Sequence, residues 1–341
     1  MQSVAVVGAS GAVGQVMVRL LAERAFPVGS IRFLASERSL GKSIKFGGEE
    51  HPIQLLEPQA FRGVDLVLSS TPGTISKRYS PIAAEAGAVV VDNSSTFRMD
   101  PNVPLVVPEV NPGDIRKHRG IIANPNCSTI QMVVALKPIH DAFRIRRVIV
   151  STYQAVSGAG QKGLEELWSQ TEAHVRGSKV PAPSKFAHPI AFNCVPHIDE
   201  FLENGYTKEE MKMVHETRKI MGDETIDVCP TCVRVPVLHS HSESILVETE
   251  RPITPDAARA LWTEAPGLTI VDDPAQVLYP LPASARDRDD VFVGRIRQDL
   301  HNPHALLFWC VGDNLRKGAA LNAVQIAEEL DRQGWKNSKR A

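Results

Sequence analysis

The sequence predicts an α/β protein, with a doubly wound parallel sheet in its N-terminal part and an α+β domain with a mixed sheet after it. Short, continuous apolar runs alternate with helical patterns up to residue 126, a glycine-rich loop follows the first run, and the pattern changes after Cys127. Continuous apolar runs are typical of strands buried on both faces, as parallel strands are. A chain of 341 residues is long enough for about two domains.

The N-terminal part shows the βαβ alternation of a doubly wound sheet. We predict strands at residues 4–7, 31–35, 64–69, 88–92, 105–107 and 121–123, with helices at 13–24 and 74–86.

The second part mixes helices and β-rich segments, which indicates a mixed sheet. The predicted helices are 128–143, 163–175 and 208–220. The predicted strands are 147–153, 229–237, 242–248, 291–297 and 305–310, with a turn between the second and third and a proline-rich loop at 180–193. A last amphipathic helix at 314–333 should return to cover the first sheet, because a parallel sheet needs cover on both faces. We therefore place a cofactor-binding domain at 1–126, completed by the helix at 313–335, and a catalytic and dimerisation domain at 127–312.

Composition favours a small-molecule partner. The formal net charge is −1, which gives no excess of positive charge to hold a nucleic acid or an anionic membrane. The start of the chain has no leader pattern and no long apolar span follows, so we expect a cytoplasmic protein. The five cysteines are an odd number, which fits reduced thiols better than a disulfide framework.

A glycine loop follows the first predicted strand and opens the first helix. It consists of Gly8, Ala9, Ser10, Gly11, Ala12, Val13 and Gly14. Glycine lets the backbone approach a pyrophosphate closely, and the helix N-terminus offers free N–H groups and the positive end of its dipole. The G-x-x-G-x-x-G spacing differs from the commoner G-x-G-x-x-G, but the strand–loop–helix context supports a Rossmann-like dinucleotide site. The alternative is a glycine turn without a ligand.

The end of the second predicted strand indicates the choice of dinucleotide. NAD enzymes often place a carboxylate here for the ribose 2′-hydroxyl. This chain has Ser36, Arg38 and Ser39, which suit a 2′-phosphate and favour NADP. Glu37 is the one residue that argues the other way.

Cys127 lies where a predicted strand ends and a helix begins. The positive end of a helix dipole lowers a thiol pKa, and the thiolate is the reactive form. An inert buried cysteine is the alternative. The carboxyl end of a strand in an open α/β sheet is where ligands bind, which favours a nucleophile.

Several motifs, in order along nearly the whole chain, resemble those of bacterial aspartate-semialdehyde dehydrogenases. They are the glycine loop and the runs at 124–129, 153–160, 192–199, 232–237 and 313–320. The resemblance implies that Cys127 is the nucleophile, that Gln154 orients the intermediate and that His241 is the acid/base residue. His239, two residues earlier, is the alternative to His241; the Ser-Glu pair that follows His241 favours the latter.

The resemblance also implies the substrate and cofactor contacts. Arg234 would hold the substrate carboxylate and Glu209 its amino group, with Asn126 nearby. Arg98 and Lys212 would bind phosphate. Cofactor contacts are implied for Ser157, Gly158, Asn314 and Thr71, although Thr71-Pro72 replaces the usual Gly-Gly of the family.

The implied reaction is the reversible NADPH-dependent conversion of L-4-aspartyl phosphate to L-aspartate 4-semialdehyde and phosphate, in the biosynthesis of lysine and diaminopimelate, methionine, threonine and isoleucine. The resemblance also implies a homodimer, although some relatives are tetramers. The alternative is N-acetyl-γ-glutamyl-phosphate reductase, whose cysteine lies in a Gly-Cys-Tyr context. We expect no metal: Cys229 and Cys232 form a lone C-x-x-C in a predicted strand, where packing is the simpler interpretation.

Overall fold

The computed structural model describes residues 2–334, and these form two compact units. The first contains the described residues up to Asn126 together with those from Ala319 onward, and the second is Cys127–Gly318. In the described part of the chain, no helix has both the length and the apolar character needed to cross a membrane.

A seven-stranded sheet forms the centre of the first unit. Its strands are β1 (Gln2–Val7), β2 (Val28–Ala35), β3 (Ser43–Phe46), β4 (Glu49–Leu55), β5 (Leu66–Ser69), β6 (Val89–Asp92) and β7 (Ile121–Ala123), with helices α1 (Ala12–Glu23) and α2 (Gly73–Glu85). The order is β3-β4-β2-β1-β5-β6-β7, and every pair is parallel except β3 with β4. The central strands β5 and β6 are buried along their whole length, as continuous apolar runs predict.

The second unit is built on a six-stranded mixed sheet, as predicted. Its elements are α3 (Cys127–Phe143), β8 (Ile145–Gln154), α4 (Gln161–Val175), α5 (Lys208–Met221), β9 (Asp227–Arg234), β10 (His241–Thr249), α6 (Pro255–Glu264), β11 (Leu268–Ile270), α7 (Pro282–Ala285), β12 (Val291–Gln298) and β13 (Ala305–Gly312). The order is β11-β12-β13-β10-β8-β9. Strands β8, β10, β13 and β12 are antiparallel neighbours, whereas β9 is parallel to β8 and β11 to β12.

The last helix, α8 (Asn322–Arg332), belongs to the first unit. Its apolar side packs in one core with the inner residues of β1, β5 and β6. Arg24 at the end of α1 adds two hydrogen bonds to the carboxylate of Glu328, at 2.6 and 2.8 Å. The helix therefore supplies the cover that this face of a parallel sheet requires.

Two sequence predictions need correction. Residues 105–107 form only an isolated bridge from Leu105 to Ala123, because the Val107 amide donates to the Asn111 side chain instead of a neighbouring strand. The predicted strands 229–237 and 242–248 correspond to β9 and β10, and β8 lies between these two strands in the sheet.

The last predicted helix and the segment before β10 differ from regular structure. The predicted helix at 314–333 begins with a π-helical turn, Arg316–Leu321, and residue 335 lies outside the described part. His239 is not on a strand: Ser240 has a φ of 72°, and β10 begins only at His241.

The β3–β4 hairpin was missed, although its sequence carries a signal. Gly47 and Gly48 join the two strands, and both have positive φ values. A two-residue Gly-Gly connection favours the tight turn whose twist matches that of the flanking strands. The short strand β11 and the helices α6 and α7 were missed as well.

Candidate active site

The glycine loop of the first unit has the geometry expected of a nucleotide-binding turn. Gly8 has a φ of 80°, and a Cβ there would lie 2.2 Å from the Ser70 carbonyl oxygen. A Cβ on Gly14 would lie 2.2 Å from the Gly8 carbonyl oxygen, so only glycine fits either position. Gly11 is the N-cap residue that precedes α1, and within the described residues no side chain caps this helix end. Its first amides are therefore suited to an external anionic acceptor.

The structure brings several of the predicted cofactor residues together in the first unit. Ser10 and Ser39 share a hydrogen bond of 3.0 Å between their hydroxyl oxygens, which ties the glycine loop to the turn after β2. Ser36 and Arg38 on that turn are exposed. Thr71 lies beside the loop, since its methyl group would be 3.3 Å from a Cβ on Gly8.

Arg98 is buried next to the carboxyl ends of β6 and β7, and backbone carbonyl groups fix its side chain. Its Nε donates to the Asn124 carbonyl oxygen at 2.9 Å and one Nη donates to that of Asn93 at 2.8 Å. Asn126, at the end of the first unit, is also buried. Arg98 belongs to the first unit and Lys212, the second predicted phosphate-binding residue, to the second.

In the second unit, strand register collects three predicted site residues at one end of the mixed sheet. The last residues of the parallel strands β8 and β9, Gln154 and Arg234, are paired partners. Strand β10 runs antiparallel to β8 and begins with His241. Ser242, the next residue, pairs with Tyr153, so His241 lies at the same end of the sheet as Gln154. All three side chains are at least nine-tenths buried.

His241 is fully buried at the start of β10, and its Nδ1 accepts a hydrogen bond of 3.0 Å from the Ala155 amide. Its Nε2 is buried without a hydrogen-bond partner among the described residues. Burial, followed by the charge of Arg234, lowers the pKa of His241 to about 3. While Nδ1 accepts the Ala155 bond, the neutral ring carries its proton on Nε2, the atom left for a reacting group.

Gln154 connects the sheet end to a charged network. Its Nε2 donates to Glu209 Oε1 at 3.2 Å, and its Oε1 accepts from the Thr152 hydroxyl at 3.0 Å. Glu209 also pairs with Lys212 at 3.0 Å, and Lys212 pairs with Asp199 at 2.7 Å. Burial lowers the pKa of Lys212, but Glu209 and Asp199 outweigh this effect, and the net shift is upward. The ammonium group is therefore held charged between two carboxylates.

Arg234 presents part of its guanidinium as an anion site. Its Nη1 donates to the Ala155 carbonyl oxygen at 2.8 Å, and no other hydrogen-bond partner of the guanidinium is found in residues 2–334. Burial lowers its pKa, while the nearby Glu209 and Cys127 raise it. A guanidinium remains charged even so, because its ordinary pKa is above 12. The remaining N–H groups suit a small carboxylate.

Cys127 is the first residue of α3 and is half-buried. The chain at Gly318 passes close to it, since a Cβ on Gly318 would lie 2.8 Å from the cysteine Cβ. Because Cys127 acts on the pKa of Arg234, the thiol and the guanidinium lie within electrostatic range of each other. The thiol is thus within electrostatic range of a cation and at the start of a helix, two conditions that favour a reactive cysteine.

Ser157, Gly158 and Asn314 lie together next to His241. The Ser157 hydroxyl and the Ser240 amide both donate to Asn314 Oδ1, at 3.0 and 2.9 Å. A Cβ on Gly158 would lie 3.1 Å from Arg234 Nη1 and 3.3 Å from His241 Nε2. Gly158 therefore leaves room for both side chains.

Sequence reasoning missed two site residues. Ala155 holds both Arg234 and His241, but through its backbone, which no side-chain pattern reveals. Asp199 pairs with Lys212 across 13 residues of sequence, and only folding brings the two charges together.

The C-x-x-C pair does not form a site. Cys232 is buried and burial raises the pKa of its thiol, while Cys229 is half-buried. Three residues apart on one strand, the two side chains point to opposite faces. Among residues 2–334, no group of three or more His, Cys, Asp or Glu side chains is arranged to hold a metal ion.

Comparison with known families matches both parts of the chain. Residues 3–118 match the semialdehyde dehydrogenase NAD binding domain, and residues 136–317 match the semialdehyde dehydrogenase dimerisation domain. The chain is 56% identical to an aspartate-semialdehyde dehydrogenase of Aquifex aeolicus, with 97% of this chain and 98% of the relative covered. It is 51% identical to that of Bacillus subtilis, with 96% of each covered.

Solved structures agree with these relatives. The structure of aspartate semialdehyde dehydrogenase II from Vibrio cholerae complexed with ASA has a TM-score of 0.96 and 49% identity, with 98% of this chain and 99% of that chain covered. A Candida albicans aspartate semialdehyde dehydrogenase solved with NADP has a TM-score of 0.78 and 26% identity, with 98% and 99% covered.

Proposed function

The chain belongs to the aspartate-semialdehyde dehydrogenase family, and from this premise we propose that it reduces L-4-aspartyl phosphate to L-aspartate 4-semialdehyde and phosphate with NADPH, through a thioester on Cys127. This step belongs to the biosynthesis of the aspartate-derived amino acids. The observation that carries the proposal is the end of the mixed sheet, where a buried imidazole lies beside Gln154 and a guanidinium and its Nε2 has no hydrogen-bond partner among residues 2–334. The comparisons do not favour an N-acetyl-γ-glutamyl-phosphate reductase.

The substrate has a carboxylate, an ammonium group and an acyl phosphate, and the site offers a group for each. Arg234 would bind the carboxylate through its N–H groups that point away from Ala155. Glu209, already an acceptor for Gln154 and Lys212, would bind the ammonium group. Lys212 and Arg98 are the proposed phosphate ligands, and Asn126 would help to position the acyl phosphate.

The Cys127 thiolate would attack the acyl carbon and expel phosphate, leaving a thioester that keeps the acyl group activated. A nicotinamide held near Ser157, Gly158 and Asn314 would supply the hydride by which the thioester becomes a hemithioacetal. His241 Nε2 would donate its proton to the hemithioacetal oxygen as negative charge develops there, and Gln154 would orient that oxygen. Collapse of the hemithioacetal would return its hydroxyl proton to His241, break the C–S bond and release the aldehyde with a free thiolate. The thioester must not hydrolyse, so the site has to exclude water.

The glycine loop fits NADP, because only glycine can occupy Gly8 and Gly14 and the start of α1 is left without a side-chain cap. Ser36, Arg38 and Ser39 would receive the 2′-phosphate, with Gly8, Ala9, Ser10, Gly11, Ala12, Val13 and Gly14 at the pyrophosphate and Thr71 beside them. Ser157, Gly158 and Asn314 are the proposed contacts of the nicotinamide end.

The test follows the near-ultraviolet absorbance of NADPH in a mixture of aspartate semialdehyde, phosphate and NADP. The wild-type protein should form NADPH, and Cys127→Ala should form none while still binding NADP. Cys194→Ala is the matched control, since this exposed thiol takes no part in the proposed site. Normal turnover by Cys127→Ala would refute the covalent route.

The second unit matches a dimerisation domain, and we propose a homodimer that pairs the outer face of the mixed sheet. Ile149 and Tyr153 on this face are 41% and 38% exposed, and Trp309 packs against Tyr153 with ring centroids 5.2 Å apart. An apolar, aromatic sheet face is typical of a homodimer contact.

The dimer proposal is tested by light scattering coupled to gel filtration. Ile149→Glu should yield monomers, because it places a charge in the paired face. Val175→Glu, at an equally apolar but still more exposed position on α4, should remain dimeric. Dimers in both variants would mean that another surface forms the contact. We also propose a cytoplasmic location, where a catalytic thiol is kept reduced.

A further inference from the structure

The ring of Phe186 lies over the guanidinium of Arg234. The centre of the guanidinium is 5.8 Å from the ring centroid, within the range of a cation–π contact. Phe186 belongs to the proline-rich loop between α4 and α5, and its ring is half-buried. An aromatic ring on an otherwise irregular loop therefore faces the side chain that we assign to the substrate carboxylate.

Two buried side chains of α4 hold this loop in place. The Glu166 carboxylate accepts from the Ser184 and Lys185 amides, at 2.8 and 2.6 Å, and from the Ser184 hydroxyl. One turn along the helix, Gln170 Oε1 accepts from the Ile190 and Ala191 amides at 2.8 and 3.1 Å. The loop residues before and after Phe186 are thus both tied to α4. We call the two side chains that hold them, Glu166 and Gln170, the α4 anchor.

An apolar cluster supports the underside of the loop. Phe186 packs against a buried group in which α4, the loop and the turn after β8 all take part; its members are Val156, Leu167, Ile190, Ala191 and Val195. Gly163 on α4 makes room for the ring, since a Cβ there would lie 3.1 Å from Phe186 Cζ. The ring position is therefore set by packing as well as by the anchored backbone.

The guanidinium is enclosed by three elements. The Ala155 carbonyl oxygen accepts from Nη1, and Gly158 leaves just enough space beside that nitrogen. The Phe186 ring lies on a third side of the guanidinium. A planar guanidinium recognises a carboxylate through two parallel N–H groups, so the orientation of its plane decides how well it binds.

We infer that Phe186, held by the α4 anchor, is a positioning residue that fixes the plane of the Arg234 guanidinium for the substrate carboxylate. The inference rests on the proposed function. It adds a residue of the proline-rich loop to the determinants of substrate specificity, acting through Arg234 and not on the reacting atoms.

The test compares Phe186→Leu, which removes the aromatic face and keeps an apolar side chain, with Phe186→Tyr, which keeps the face. Phe186→Leu should raise the KM for aspartate semialdehyde about fivefold, the size expected for one cation–π contact, with kcat within about twofold. The KM values for phosphate and NADP should not change. Phe186→Tyr should behave as the wild type, and Glu166→Gln should raise the same KM by weakening the anchor.

The aldehyde 3-aminopropanal separates a carboxylate effect from general loosening of the site, because it has the amino group and the aldehyde but no carboxylate. Its inhibition constant should be the same for wild type and Phe186→Leu. Equal losses in the Leu and Tyr variants, or an equal change for 3-aminopropanal, would overturn the inference. A wild-type protein without activity on aspartate semialdehyde would instead refute the proposed function itself.

Discussion

Replacing Gly158 by alanine tests the packing of the candidate site with a single methyl group. The new Cβ would lie 3.1 Å from Arg234 Nη1 and 3.3 Å from Cε1 and Nε2 of His241. These distances are shorter than ordinary contacts, so the two side chains must move apart by a few tenths of an ångström. Gly158 does not have a positive φ, and alanine is therefore compatible with its backbone.

The expected cost falls on catalysis and not on folding. A misplacement of about 1 Å can reduce rates about 100-fold, and a shift of a few tenths should reduce kcat/KM about tenfold, or about 1.4 kcal/mol of transition-state stabilisation. The loss of unfolded-state entropy on replacing glycine partly offsets the crowding, so the free energy of unfolding should change by less than about 1 kcal/mol.

The assay measures kcat/KM for aspartate semialdehyde together with the free energy of unfolding in urea. Gly113→Ala is the matched control, because a Cβ there meets no atom within 4 Å and its φ is not positive. If Gly158→Ala keeps the wild-type kcat/KM while remaining folded, Arg234 and His241 do not act where we place them.

Three further predictions concern other parts of the site. His241 has its ordinary pKa of 6.5 in the unfolded chain, whereas in the folded protein its pKa is about 3. Protonation below pH 6.5 therefore favours the unfolded chain, and this ring should lower the free energy of unfolding in urea by about 2 kcal/mol between about pH 7 and pH 5. That contribution should be absent in His241→Asn. Arg38→Ser should raise the KM for NADP at least about tenfold and leave that for NAD unchanged, and an equal rise for both would contradict a 2′-phosphate contact. Lys212→Met should raise the KM for phosphate about tenfold or more, while Lys208→Met on the same helix should not, and no difference between the two variants would remove Lys212 from the phosphate site.

The sequence predicts the first unit well because its signals are local. Strand β1, the glycine loop and α1 follow one another, and the roles of Gly8 and Gly14 depend on backbone geometry within a few residues. The prediction at 105–107 was wrong because the Asn111 side chain competes for a backbone amide, a contact that periodicity does not register.

The second unit is harder to predict because its site depends on strand order. Gln154 and Arg234 are 80 positions apart in sequence, yet they are paired at the ends of neighbouring strands. Periodicity alone places His239 and His241 on one strand face, and only the backbone turn at Ser240 separates them. Phe186 gives no sequence signal at all, since its position depends on hydrogen bonds that amides of a loop without periodicity donate to Glu166 and Gln170.

The measurement that tests the central claim most directly is peptide mass spectrometry of the enzyme quenched in acid after mixing with L-4-aspartyl phosphate in the absence of NADPH. We expect an aspartyl group in thioester linkage on the peptide that contains Cys127, and its disappearance when NADPH is added before the quench. An aspartyl group on another side chain, or none in a protein that turns over normally, would contradict covalent catalysis by Cys127.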